Sequence, residues 1–207
     1  TFVFSNDRDI QLERLKFYFS NFNINNTSSN QQEQILDVHL VDFLSAETLS
    51  IIIELDPGSY NNFSVGVGLD PQTNLINPNN VSPDHPLYIF NGMHWAAWNT
   101  YIFMMFDGKV DTTNGGLFNH SFTYHPGASI LYDTKNTTFN FNIYSSGETE
   151  IDIVLDINKI FNPVSLGATP IDIISQPATH TFDSQGNIDP LAIRFFENVV
   201  DAISIVY

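Results

Sequence analysis

Short apolar runs separated by clusters of Asn, Gly, Pro, Asp and Ser dominate this chain, a pattern of many strands and few helices. Residues 15–24 (LKFYFSNFNI) alternate, with Leu15, Phe17 and Phe19 on one face. The polar stretch 25–34 reads as a loop. Residues 35–43 form the next strand, with Leu36, Val38 and Leu40 in one register and Val41 and Phe43 in the other. A strand is predicted over 49–55, and Asp56-Pro57-Gly58 turns the chain into another over 62–69. Residues 70–86 are almost all turn formers, and such long irregular stretches inside compact domains are usually functional or mobile. They lead into 91–105, read as a strand because 101–106 is one. A polar turn over 110–116, a strand over 118–124 and a short one over 129–132 follow. Residues 138–144 and 150–155 pair as a second sheet across the turn 145–148. The opening TFVFSND also reads as a strand.

Two helices interrupt this pattern. Residues 156–161 make one helical turn ended by Asn162-Pro163. Residues 189–198 carry Asp189 as N-cap, Pro190 at the first helical position and apolar residues at helical spacing. A last strand spans 202–207. With no internal repeat and no dividing linker, residues 1–207 are expected to form a single all-β domain. Its architecture is an antiparallel β-sandwich of Greek-key-like connectivity, with a short C-terminal helix before the last strand.

Composition narrows the partners. All-β sandwiches often reach 207 residues as one unit, and 43% hydrophobic residues with 18 Phe suffice for a large core. Against 23 acids stand only 7 Lys and Arg, a net charge of −16. Nucleic acid and anionic membrane surfaces would repel such a chain. Cations are compatible with it, although acidic surfaces usually serve solubility. The chain has no cysteine, hence neither a disulfide framework nor a thiolate metal site. No apolar run approaches the roughly 18 residues that span a bilayer, and no charged-then-apolar leader opens the chain. An Asn-rich, Lys-poor composition fits an exported protein. We expect a leader to have been removed and the protein to reside in the periplasm or at an outer-membrane surface, the precursor carrying a lipid anchor. A monomer or weak oligomer is expected.

Candidate chemistry concentrates in 91–105 (NGMHWAAWNTYIFMM), which holds all three methionines and both tryptophans, with His94 between Met93 and Trp95. A second compact motif, FTYHPG, covers 122–127. Met, His and Trp are soft or electron-rich side chains that suit copper where thiolates are absent, although Met-aromatic clusters are more often plain core. Were 93–106 extended, Met93, Trp95, Asn99, Tyr101 and Phe103 would share one face, and His94, Trp98, Ile102 and Met104 the other. One site could then use both His94 and Trp95 only across a bulge. Of the six histidines, His39 reads as a structural cross-strand residue, and His85 and His120 are ambiguous. His94, His125 and His180 each lie beside aromatics near a turn. No two form a close-spaced ligand pair, so any metal site must be assembled from distant strands. GxSxG, Walker and dinucleotide motifs are missing. Residues 107–114 (DGKVDTTN) are vaguely calcium-like without EF-hand spacing. A glycosidase carboxylate pair is not singled out.

The order of these segments resembles the MbnP-like copper-binding family, in its exported, Bacteroidetes-type lipoprotein versions. The resemblance is carried by LKFYFSNFNI (15–24), LVDF (40–43), GSYNNFSVGVGLD (58–70), NGMHWAAWNTYIF (91–103), FTYHPG (122–127) and His180 ahead of the helix 191–198. It implies a bacterial, exported, non-enzymatic β-sandwich that binds copper through histidines and a tryptophan oxidised to kynurenine. Carried over, Trp95 matches the family tryptophan, His125 the histidine of the FTYHPG segment and His180 the late histidine. His94 and His85 are the next candidates. The pattern departs at Ala97, where a second tryptophan usually stands. Trp98 is displaced by one, and Thr100 replaces the glycine before Tyr101. The expected function is copper binding without catalysis, by neutral imidazoles whose hold weakens below about pH 6. The alternatives are a surface module that recognises glycan or protein without metal, and a hydrolase using scattered carboxylates.

Overall fold

The computed structural model describes residues 8–207 and the backbone of Phe2–Val3. Phe2–Val3 form a short strand, β1. The rest of the strand expected in TFVFSND lies outside the described residues.

The spine of the molecule is β2 (Asp9–Asn26), eighteen residues long. Its first half pairs with β7 (Met104–Asp111) and its second half with β4 (Gly58–Val67), while β3 (Gln31–Asp42) covers the other edge from Lys16 onward. The hand-over falls at Tyr18, whose N–H donates to the Phe103 carbonyl (3.0 Å) and whose carbonyl accepts from Gly68 N–H (2.9 Å). Here the expected alternation of Leu15, Phe17 and Phe19 breaks. Tyr18, Phe19 and Ser20 are all buried and Phe17 only partly, because the strand is covered on both faces where it passes between layers.

β8 (Phe118–His125) extends the β7 side, β9 (Asp133–Ile143) the β4 side, and β11 (Ala178–His180) completes the order β11-β8-β7-β2-β4-β9 of a β-sandwich. β11 lies parallel to β8, a departure from a purely antiparallel sheet made feasible by the long connection between them, residues 126–177, which includes β9. β10 (Asp152–Leu155) pairs with β12 (Ile203–Val206). Asp189 caps α2 (Pro190–Ala202) through Leu191 N–H, as its sequence predicts, and Asp156, read as the first residue of the turn, instead caps α1 (Ile157–Phe161) through Asn158 N–H. The core joins both layers to α2. On the β7–β8 side, Tyr124 stacks on Phe195 at 4.5 Å and 4°, with Phe106, Phe122 and Phe161 around them.

Several expectations are corrected. Residues 27–30 are a tight turn and not a ten-residue loop, since outward amides let β2 and β3 continue as strands; Asn25 bonds Asn61 across β4 at 3.0 Å. Residues 49–55 form no strand. Ile52 is 83% exposed, and a run of three isoleucines offers no alternation. Residues 129–131 make a 3-10 turn. β9 pairs with β4, so 138–144 and 150–155 do not pair with each other. Finally, 91–105 is not one strand. β5 (His94–Trp95) and β6 (Thr100–Tyr101) form a tight hairpin around 96–99, with Asn99 in the left-handed region at φ 48°.

Candidate metal site

Alternation along β8 places the site. Phe122 and Tyr124 point into the core at 2% and 0% exposure, so Thr123 and His125 stand on the opposite face. Register then brings Asp107 of β7 opposite Thr123, and Arg14 of β2 opposite Asp107. The parallel strand β11 sets His180 opposite His125. β11 is held by its flanks: Thr123 N–H donates to the Pro177 carbonyl (2.7 Å), Thr179 Oγ1 to the Asp189 carboxylate (2.6 Å), and Thr181 Oγ1 to the Gly127 carbonyl (2.7 Å). Thr179 and Thr181 are buried, and His180 between them is exposed.

The β5–β6 hairpin carries the third component. Its base is fixed by the loop 70–92. The buried Asn74 side chain donates to Thr100 Oγ1 and Ser129 Oγ and accepts from Tyr101 N–H, each at 3.0 Å. The Tyr101 hydroxyl donates toward the Ile76 and Leu87 carbonyls (3.0 Å each), and burial pushes its pKa up to about 12. Gly127 permits the close approach, since a Cβ there would lie 2.2 Å from the Tyr101 carbonyl oxygen. Trp95 thereby stacks on His180 (ring centroids 5.3 Å, 28°) and lies 6.5 Å from His125; the two imidazoles are 5.4 Å apart at 84°. Trp98, in the hairpin turn, packs edge-on against Trp95 (4.9 Å) and near Phe182 (5.6 Å). The one-residue displacement of Trp98 therefore does not throw it onto another face, because a turn has no strand faces.

His125 Nε2 lies 2.8 Å from Asp107 Oδ1, which also accepts from Thr123 Oγ1 at 2.6 Å; Arg14 Nε lies 3.3 Å from Asp107 Oδ2. Burial pushes the Asp107 pKa up, but hydrogen bonds from His125 and Thr123 and the charges of His125 and Arg14 outweigh it and leave the carboxyl below its usual range. Burial, then the His125 charge, lowers the His180 pKa against the opposing pull of Asp107 and Asp189.

Of the five residues predicted as ligands, the fold brings together Trp95, His125 and His180 and leaves two apart. His94 turns to its register partner Tyr101 (4.9 Å, edge-on), opposite Trp95; burial lowers its pKa, and its Nδ1 is buried with no partner among the described residues. His85 accepts from Leu87 N–H through Nδ1 within the loop. His39 is structural, with Nε2 2.7 Å from the Thr48 carbonyl. The calcium-like segment is occupied internally, since the Asp111 carboxylate accepts from Thr113 and Gly116 N–H. Sequence reasoning missed Asp107, Thr123 and Arg14. Thr123 could have been found two residues before His125 on the same strand face, whereas Asp107 and Arg14 require the register.

Among the described residues, no group of three or more His, Asp or Glu gathers around one point. A six- to eight-oxygen calcium shell or an all-protein tetrahedral zinc site has no basis here. The two imidazoles are the nitrogen ligands on offer, the indole N–H being a donor only, and a low-number imidazole set is compatible with copper.

No curated protein matches the chain. Among solved structures, MbnP from Methylosinus trichosporium is similar over 98% of this chain and 89% of that one, with a TM-score of 0.51 at 14% identity, a likeness of fold. The family model described as MbnP matches residues 1–177, ending three residues before His180. Matched over most of its length, the chain belongs to the MbnP family.

Proposed function

We propose that this is an exported, non-catalytic copper-binding protein whose ligands are the imidazoles of His125 and His180, with Trp95 as aromatic wall or, once oxidised to kynurenine, a further ligand. One observation carries the reading: Trp95, His125 and His180, remote in sequence, meet on the outer face of β8–β11 with centroids 5.3 to 6.5 Å apart. Membership of the MbnP family supports it. Copper held by His125 and His180 would supply a Lewis-acid centre, one of the metals that imidazole suits. The protein's share is to orient His125 through Asp107, to hold His180 between two pinned threonines, and to cover the pair with indole.

The test is metal analysis with intact mass on protein purified at neutral pH without chelators or an affinity tag. Near-stoichiometric copper, lost in the His125→Ala/His180→Ala double variant, is the expected result. A kynurenine would register as loss of one carbon and gain of one oxygen. No copper retained after loading and dialysis would sink the proposal.

A further inference from the structure

We propose that Asp107 is the positioning residue of this site: held by Arg14 and Thr123, it fixes the His125 proton on Nε2 and leaves Nδ1 as the ligating nitrogen. The consequence for copper rests on the function proposed above; the tautomer does not.

A neutral imidazole offers one donor and one acceptor nitrogen. Asp107 Oδ1 lies 2.8 Å from His125 Nε2, and an ionised carboxylate only accepts, so the ring proton belongs on Nε2. The carboxylate is itself fixed. Thr123 Oγ1 donates to Oδ1 at 2.6 Å, and Arg14 Nε lies 3.3 Å from Oδ2. The Thr123 oxygen, 3.2 Å from Nε2, adds a second acceptor for the same proton. Arg14 is in turn steadied by a bond from Nη1 to Met105 Sδ at 3.4 Å. Three adjacent strands thus set the protonation pattern of one ring, the arrangement by which outer carboxylates orient metal-binding histidines. His125 Nδ1 has no hydrogen-bond partner among the described residues, so the lone pair is free for a metal.

Asp107→Asn is the informative change. Arg14 still requires an acceptor at the Oδ2 position, which turns the amide NH2 toward His125. Nε2 must then accept, and the ring proton moves to Nδ1, closing the ligating nitrogen. Long-range 1H–15N NMR on metal-free protein should show His125 protonated on Nε2 in the wild type and on Nδ1 in Asp107→Asn. Copper(I) affinity, measured by competition with a chromophoric chelator, should fall about 10- to 100-fold in that variant. Thr123→Val, which keeps the Asp107–His125 pair, should retain the wild-type tautomer. A wild-type proton on Nδ1, or Asp107→Asn with unchanged tautomer and affinity, overturns the proposal. Should Asp107→Asn not fold, the wild-type tautomer decides. A wild type that takes up no copper overturns the copper reading alone, and the His125 tautomer still decides the role of Asp107.

Discussion

The two faces of β8 differ in what a side chain is required to do. On the inner face Phe122 and Tyr124 are buried in an aromatic cluster with Phe106, Phe161 and Phe195, where the ring contacts are non-directional and several neighbours share the load, and the one directed bond runs from the Tyr124 hydroxyl to the Gln176 carbonyl. On the outer face Thr123 and His125 work through single directed bonds to Asp107. A one-atom change there alters chemistry while leaving packing in place. Stability and the candidate site are therefore written on alternate residues of one strand, and substitutions should separate them.

The largest expected effect is on the inner face. Phe195→Ala removes the ring stacked on Tyr124 and should destabilise the fold by about 3–5 kcal/mol, read from the denaturant midpoint at unchanged m. The folded fraction should still bind copper. On the outer face, His180→Ala removes one ring stacked on Trp95 and should cost at most about 0.5–1.5 kcal/mol, the worth of a single aromatic pair. Copper affinity should fall by more than the roughly 100-fold upper range for outer-shell partners. If copper loss tracked stability loss across both variants, the separation of faces would be wrong.

Trp98 tests the boundary of the site. It is 41% exposed and meets Trp95 edge-on, an aromatic pair worth about 0.5–1.5 kcal/mol. Trp98→Ala should cost that much at most and leave copper affinity nearly unchanged, while Trp95→Ala, which strips the ring stacked on His180, should weaken copper binding. Equal copper loss in the two, followed by chelator competition, would make the indole pair one ligand-covering unit and enlarge the site.

What the sequence made legible follows the same division. Regular local patterns carried over: the strand over 15–24, though not its alternation, the Asp189-Pro190 helix start and the single helical turn before Asn162-Pro163. Patterns that depend on a partner did not. The three isoleucines 51–53 have strand propensity but no buried face, Ile52 being 83% exposed, and NGMHWAAWNTYIFMM looks extended until Asn99 adopts a left-handed turn. The site was half legible. Trp95, His125 and His180 could be named from family resemblance, because their neighbouring motifs are local. Asp107 and Arg14 could not, because their roles arise from register between strands about ninety positions apart in sequence, and His94 was drawn away by a packing partner, Tyr101, that local spacing does not reveal.

The smallest effect is the one that maps the two faces by titration. His180 and His94 have folded pKa values below their ordinary 6.5, each mainly through burial. Between folded and unfolded values the unfolded chain binds more protons, so stability rises with pH. Their contribution is present above about 6.5 and is lost as pH falls below it, and Asp107, also lowered, adds a further loss only below 3.8. The buried tyrosines act at the other end. Burial raises the pKa of Tyr18, Tyr101 and Tyr124 above the ordinary 10.0. They favour the fold below that value and cease to as pH rises through it, when the unfolded phenols ionise first. Denaturant midpoints of metal-free protein should therefore be flat between about pH 6.5 and 10 and decline on both sides. His180→Ala should shallow the acid limb and leave the alkaline limb alone, because the alkaline limb belongs to the core. An acid limb unmoved by both His180→Ala and His94→Gln would assign the titration to other groups and remove the electrostatic part of the contrast between the faces.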